Sequence, residues 1–147
     1  MSKLTKNQVL DRFSKSIGCG QVVAEQFSEE TGLTPEQLRK MQACFDAGMF
    51  RGETCGAVIA AYNVIGLLYG HSADCDEEQK GIMMSKMFRF NELFNETYDG
   101  LMCKELLGAD ISTKEGNAII TEKNLLVEFC PQVVADAVEI LKQVINE

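Results

Sequence analysis

The sequence predicts an all-α fold. Apolar residues recur at three- and four-residue steps, helix-start signatures precede several of those runs, and strand-like alternation is nearly absent. The 147 residues fit a single domain, 1–147, with one continuous core. A chain of this size buries roughly 68–70% of its unfolded surface, so it needs no disulfide staples to fold.

Taken in order, "NQVLDRFSKSI" places Val9, Phe13 and Ile17 at steps of four along one helix face. "CGQVVAEQF" continues with Val22, Val23 and Phe27 and stops at the turn-like "TGLT". Thr34, Pro35 and Gln37 then spell a helix start: N-cap, first-turn proline and the far half of a capping box. That helix is expected to run to about Phe45 and to end at Gly48. After the turn "GMFRGE", Thr54 is the expected N-cap of a long apolar helix that Gly70 closes. The acidic "DCDEEQK" suits the first turn of the next helix, expected to reach about Tyr98. Its Met83, Met87, Phe90 and Phe94 form a stripe that reads as core. "LMCKELLG" reads as a short helix ended by Gly108, and Ser112 with Glu115 has capping-box spacing. Pro131 opens the last helix, with Val134, Val138, Leu141 and Val144 on one face.

Charge and composition narrow the function. A net charge of −8 argues against nucleic acid or an anionic membrane as partner. The opening "MSKLTKNQVLDRF" lacks the apolar stretch of a secretory leader, and the longest apolar run is too short to span a bilayer. The expected setting is the cytoplasm, without membrane insertion. Six cysteines stand against one histidine and no tryptophan, so thiols are the obvious carriers of any chemistry. A reducing cytosol disfavours a disulfide framework. No two cysteines lie within ten residues of each other, which excludes zinc-ribbon, bacterial-ferredoxin and thioredoxin spacings. Any shared site has to be assembled by tertiary folding.

Four of the six fall at or near expected helix starts. Cys55 follows Thr54, Cys130 precedes Pro131 in an expected N-cap position, Cys103 follows Gly100 closely, and Cys19 follows Gly18. Free backbone N–H groups and the positive end of the helix dipole favour anions there, and they lower a thiol pKa. Gly56, lacking a side chain, allows close approach to whatever Cys55 binds. Cys44 lies near a helix end and Cys75 in a loop, outside this set. His71 reads as a solvated turn residue.

These residues carry a resemblance. The chain resembles the small bacterial four-cysteine C_GCAxxG_C_C family, described as redox-active. The likeness runs from "GCGQVVAEQF" through "GMFRGETCGAVIA" and "IGLLYG" to "CKELLGADISTKEG" and "CPQVVADAVEIL". It implies that the family's four cysteines fall on Cys19, Cys55, Cys103 and Cys130, the set that the helix starts select. Two positions depart from the pattern. Ala60 stands where the motif ends in glycine, and "DAGM", with Asp46 and Ala47, replaces a glycine-rich turn.

Electrostatics limits what such a set can do. Two thiolates about 4 Å apart repel by roughly 4 kcal/mol at an effective dielectric of about 20, while a helix start returns only ~0.3–1 kcal/mol. Basic neighbours are few: Arg51 near Cys55, Lys104 beside Cys103 and Lys15 near Cys19. The four thiols therefore bind a metal centre, pair as disulfides, or stay mostly protonated. The first expectation is an iron–sulfur cluster on Cys19, Cys55, Cys103 and Cys130, serving electron transfer, with Thr54, Gly56 and Arg51 shaping its surroundings. The second is a metal-free dithiol oxidoreductase with Cys55 as the attacking thiolate. The third is a structural zinc module. An unidentified redox protein is the expected partner, and the sequence also admits a homodimer.

Overall fold

Thr5 opens the first helix, α1 (Lys6–Ser14), through a reciprocal pair. The Gln8 amide donates to the Thr5 hydroxyl at 3.2 Å, and the Thr5 amide donates to the Gln8 side chain at 2.9 Å. Two otherwise free backbone donors are satisfied in this way. The computed structural model describes residues 3–147, so Met1 and Ser2 lie outside it. Among the described residues the regular structure is helical, apart from one antiparallel bridge between Thr54 and Met102. The fold is all-α, as the periodicity predicts.

Helix α2 (Cys19–Glu25), capped by Gln26, is followed by a single turn, α3 (Ser28–Thr31), which ends on Gly32 with φ 77°. Helix α4 (Pro35–Gln42) has the expected Thr34–Gln37 capping box. It stops as an α-helix three residues before Phe45, because residues Ala43–Phe45 tighten into a 3₁₀ turn. Helix α5 (Gly56–Tyr69) is followed by α6 (Glu77–Asn95), which Asp76 caps and which ends short of Tyr98. The remaining helices are α7 (Cys103–Leu107), α8 (Lys114–Glu122), α9 (Leu125–Glu128) and α10 (Cys130–Asn146). The expected Ser112 cap is corrected: Thr113 caps α8 by accepting from the Gly116 amide at 2.9 Å, while the Ser112 hydroxyl donates to Asp110 at 2.6 Å.

Helices α2, α5, α6 and α10 bury a common core of small and branched residues. Val22 and Val23, Ala57, Ala60, Ala61 and Val64, Phe90 and Phe94, and Val138, Leu141 and Val144 are all inaccessible to solvent. Each fully buried valine or leucine contributes roughly 1.5–3 kcal/mol relative to exposure. The expected α6 stripe is buried at Phe90 and Phe94 and half-buried at Met83 and Met87. Two glycines set the approach of α2 to α5. A Cβ on Gly20 would lie 2.7 Å from the Gly56 carbonyl oxygen, and one on Gly56 would lie 2.7 Å from Cys19 Sγ. The extra methyl of Ala60 is accommodated, fully buried, on the same helix.

A polar clamp joins three helices outside that seam. The Glu25 carboxylate on α2 accepts from Arg12 on α1 at 2.8 and 2.9 Å and from Arg39 of α4 at 2.9 Å. Aromatic rings run from Tyr62 through Phe90, Phe94 and Tyr98 to Phe129, with successive centroids 6.3, 5.8, 4.9 and 6.0 Å apart. The row ends beside Cys130. Segments α7 to α9 build a second, smaller core from Cys103, Leu107 and Ile120, with Phe129 and Cys130 packed against it. No helix among the described residues is long and apolar enough to cross a membrane.

Candidate functional site: a cavity lined by four thiols

Each of the four cysteines is placed by a helix start. Cys19 is the first residue of α2, after Gly18 as N-cap. Cys55 itself is the N-cap of α5, which corrects the expectation for Thr54. Thr54 is instead held extended by its bridge to Met102. The Cys55 amide donates to Leu101 O at 2.8 Å, and the Cys103 amide donates to Glu53 O at 2.6 Å. A cysteine on α5 and one on α7 are thus tied together by one rung of backbone. Cys103 is the first residue of α7. Cys130 is the first residue of α10, one position inside the expected cap, because Phe129 takes the cap position.

These starts converge. Cys19, Cys55, Cys103 and Cys130 all line one cavity of about 610 Å³ between α1, α2, α7, α9 and the start of α10. Cys55 and Cys103 are buried, and Cys19 and Cys130 are half-buried. Cys44 and Cys75 are exposed and lie outside the cavity. Of the three residues expected to shape the surroundings, Gly56 lines the cavity, whereas Thr54 and Arg51 do not, and Arg51 is exposed. The role of Gly56 also differs in detail. Its missing side chain admits Cys19 Sγ and the backbone of Phe45 and Asp46, whose oxygen and Cα would lie 2.9 and 3.1 Å from a Cβ. All six thiols are free, and no three His, Cys, Asp or Glu side chains among the described residues are grouped to hold a single metal ion.

Burial dominates the electrostatics of the thiols. Desolvation pushes Cys55 up to about 12, against the amides of Val58 and Ala57, which favour its thiolate. Cys130 is pushed up to about 12 by burial and then by Cys19 and Cys103. Burial raises Cys19 further still, reinforced by Cys55 and Asp46, and raises Cys103 with a contribution from Asp110. The helix starts therefore do not produce low-pKa thiolates in the metal-free protein, because desolvation outweighs the amides.

A stability consequence follows from the sign of these shifts. Each of the four cavity thiols holds its proton to higher pH than the usual 9.0. Between about 9 and 12 the native state then binds more protons than the unfolded chain, so stability falls as pH rises. The stabilising contribution of these thiols is expected to be fully present below about pH 9 and to fall by up to about 1.4 kcal/mol per pH unit per raised thiol above it. Urea midpoints measured from pH 7 to 11 test this, and a flat profile would contradict it.

One residue of the site is not among the expected candidates. Asp46 lines the cavity beside Cys19. Its Oδ1 accepts from the Gly20 amide at 3.1 Å and, over 3.9 Å, from Cys19 Sγ. Burial raises its pKa, opposed by the Gly20 and Gln21 amides at the start of α2. The turn after it is left-handed: φ is 53° at Ala47, 61° at Gly48, 61° at Met49 and 56° at Phe50. Left-handed backbone costs a non-glycine residue about 1–2 kcal/mol, and such strain concentrates at functional sites. Its result here is a Phe50 ring 62% exposed at the cavity edge. The only hint in the sequence is the departure "DAGM" from a glycine-rich turn.

The described residues form an all-helical protein in which four thiols from four separate helix starts line one cavity. Residues 17–144 match the family described as "Putative redox-active protein (C_GCAxxG_C_C)", and the chain belongs to that family. No curated protein and no solved structure matches the chain.

Proposed function

We propose that the protein is an electron-transfer protein whose Cys19, Cys55, Cys103 and Cys130 hold an iron–sulfur cluster. The observation that carries this reading is the convergence of these four thiols, from four helix starts, on one cavity. The donor set fits the group: soft sulfur ligands in a mostly apolar enclosure, with backbone amides aimed at Cys55. When bound, the cluster supplies one-electron chemistry. The protein's own part is to hold four sulfurs, to exclude water from them and to direct amides at them, all of which tune a potential.

Thiol ionisation favours this reading over a metal-free dithiol. Burial raises the Cys55 thiol and so disfavours the free thiolate that a metal-free nucleophile needs. A cation removes that obstacle by displacing the protons. Zinc as a single ion is supported less well. Tetrahedral zinc brings its sulfurs to about 3.8 Å from one another, and no such grouping of three donors is present among the described residues.

Protein purified without oxygen and reconstituted with iron and sulfide tests the proposal. It is expected to be brown, with iron and sulfide bound in comparable amounts. A colourless product whose thiols cycle reversibly with dithiothreitol would replace it by the dithiol reading. Cys19 and Cys55 would then be the first pair to examine, because Cys19 Sγ lies against Gly56, next to Cys55. Closing that disulfide removes two electrons and two protons from the pair. Stoichiometric zinc without redox cycling would indicate the structural module.

A further inference from the structure

The cavity is larger than the four thiols require, and most of its other lining side chains are apolar. At ~30 Å³ per water, 610 Å³ corresponds to about twenty water volumes. That lies within the ~300–1,000 Å³ range of small-molecule pockets. A cluster core of at most eight atoms leaves much of this space open. Apart from the thiols, Ser14, Ser16 and Asp46, the wall is largely apolar, with Phe13, Ile17, Leu106, Ile111, Phe129 and Val134 among its side chains. At the edge stand Phe50, Leu126 and Val127, which are 62%, 45% and 40% exposed. Among the described residues, no lysine, arginine or histidine lines the cavity, and Asp46 is its one charged side chain.

We infer that this cavity is a binding site for an uncharged, ring-containing apolar small molecule of the quinone class, held together with the thiols that line it. Charge selects the class. An apolar pocket with a carboxylate and no cation disfavours nucleotide cofactors, fatty acids and other anions, whose charge would be desolvated without a partner. Ring-sized volume and aromatic walls at Phe13, Phe50 and Phe129 favour a flat neutral molecule, since aromatic pairs stack or meet edge to face. The inference concerns binding alone, so it stands whether the thiols carry a cluster or cycle as a dithiol.

The test uses the full chain, both reconstituted and metal-free, with N-phenyl-1-naphthylamine as a neutral fluorescent probe. Saturable fluorescence at one site per chain is expected, displaced by 2-methyl-1,4-naphthoquinone and not by laurate at equal concentration. Leu126→Lys is at an exposed edge position and should leave melting unchanged. It is expected to weaken the probe about tenfold or more, because an apolar contact is lost and a charge must be desolvated. Absence of saturable binding in both forms would overturn the inference. So would binding that Leu126→Lys leaves untouched in a folded protein, or displacement by laurate as effective as by the quinone.

Discussion

Replacing Cys55 by serine is expected to bleach the reconstituted protein and to reduce its bound iron and sulfide to background. The sulfur of Cys55 is buried where α5 begins, with the Val58 and Ala57 amides directed at it. Serine puts a harder oxygen there on a shorter bond, and soft iron–sulfur centres select thiolate. The fold should survive the change, because serine is among the best N-cap residues and Cys55 occupies the cap. Unchanged far-ultraviolet circular dichroism would separate loss of the ligand from loss of the helix. The double variant Cys44→Ala, Cys75→Ala is the matched control, since both thiols are exposed and outside the cavity. It should keep full colour. A brown Cys55→Ser protein, or a colourless double variant, would show that the ligand set is wrong.

Gly56→Ala is expected to destabilise the metal-free protein by about 2–3 kcal/mol, a loss of roughly 5–10 °C in melting temperature. The added methyl would meet Cys19 Sγ at 2.7 Å, Phe45 O at 2.9 Å and Asp46 Cα at 3.1 Å. Two of these neighbours are backbone, so relief by side-chain rotation is limited. Gly66 on the same helix supplies the comparison: a Cβ there meets nothing within 4 Å. Gly66→Ala should therefore stabilise by up to about 1 kcal/mol through helix propensity alone. Both changes are glycine to alanine on α5, so their difference isolates the contact. Equal melting temperatures for the two variants would remove Gly56 from the architecture of the site.

The helices were legible wherever the signal was local. Thr34, Pro35 and Gln37 announce α4 because a capping box involves residues three apart, and the Phe90–Phe94 step announces a buried face in the same way. The four site cysteines could be selected because helix starts are also local, although their offsets were less legible. Cys55 takes the cap that Thr54 was expected to hold, because Thr54 is drawn into a bridge with Met102, far along the chain. Ser112 lost α8 to Thr113 for a comparable reason, its hydroxyl being occupied by Asp110. Protonated thiols were legible only as one outcome of mutual repulsion, and the part played by burial was not. Helix starts argue for lower values, and the burial that overrides them is a property of the assembled cavity. Asp46 stood out in the sequence only as a departure from a glycine-rich turn, because its place beside Cys19 depends on the left-handed turn that follows it, which the letters "DAGM" do not display.

The four sulfurs are drawn from most of the length of the chain, and the last of them begins α10. Contacts between residues so distant in sequence close slowly, since a long loop must be ordered before they return any energy. During synthesis the segments bearing Cys19 and Cys55 exist well before Cys130 does. The site therefore has no native form until α10 has been made and has docked. If the four thiols hold the cluster proposed above, its insertion is accordingly a late event in biogenesis, carried out on a chain that has already folded or is just folding.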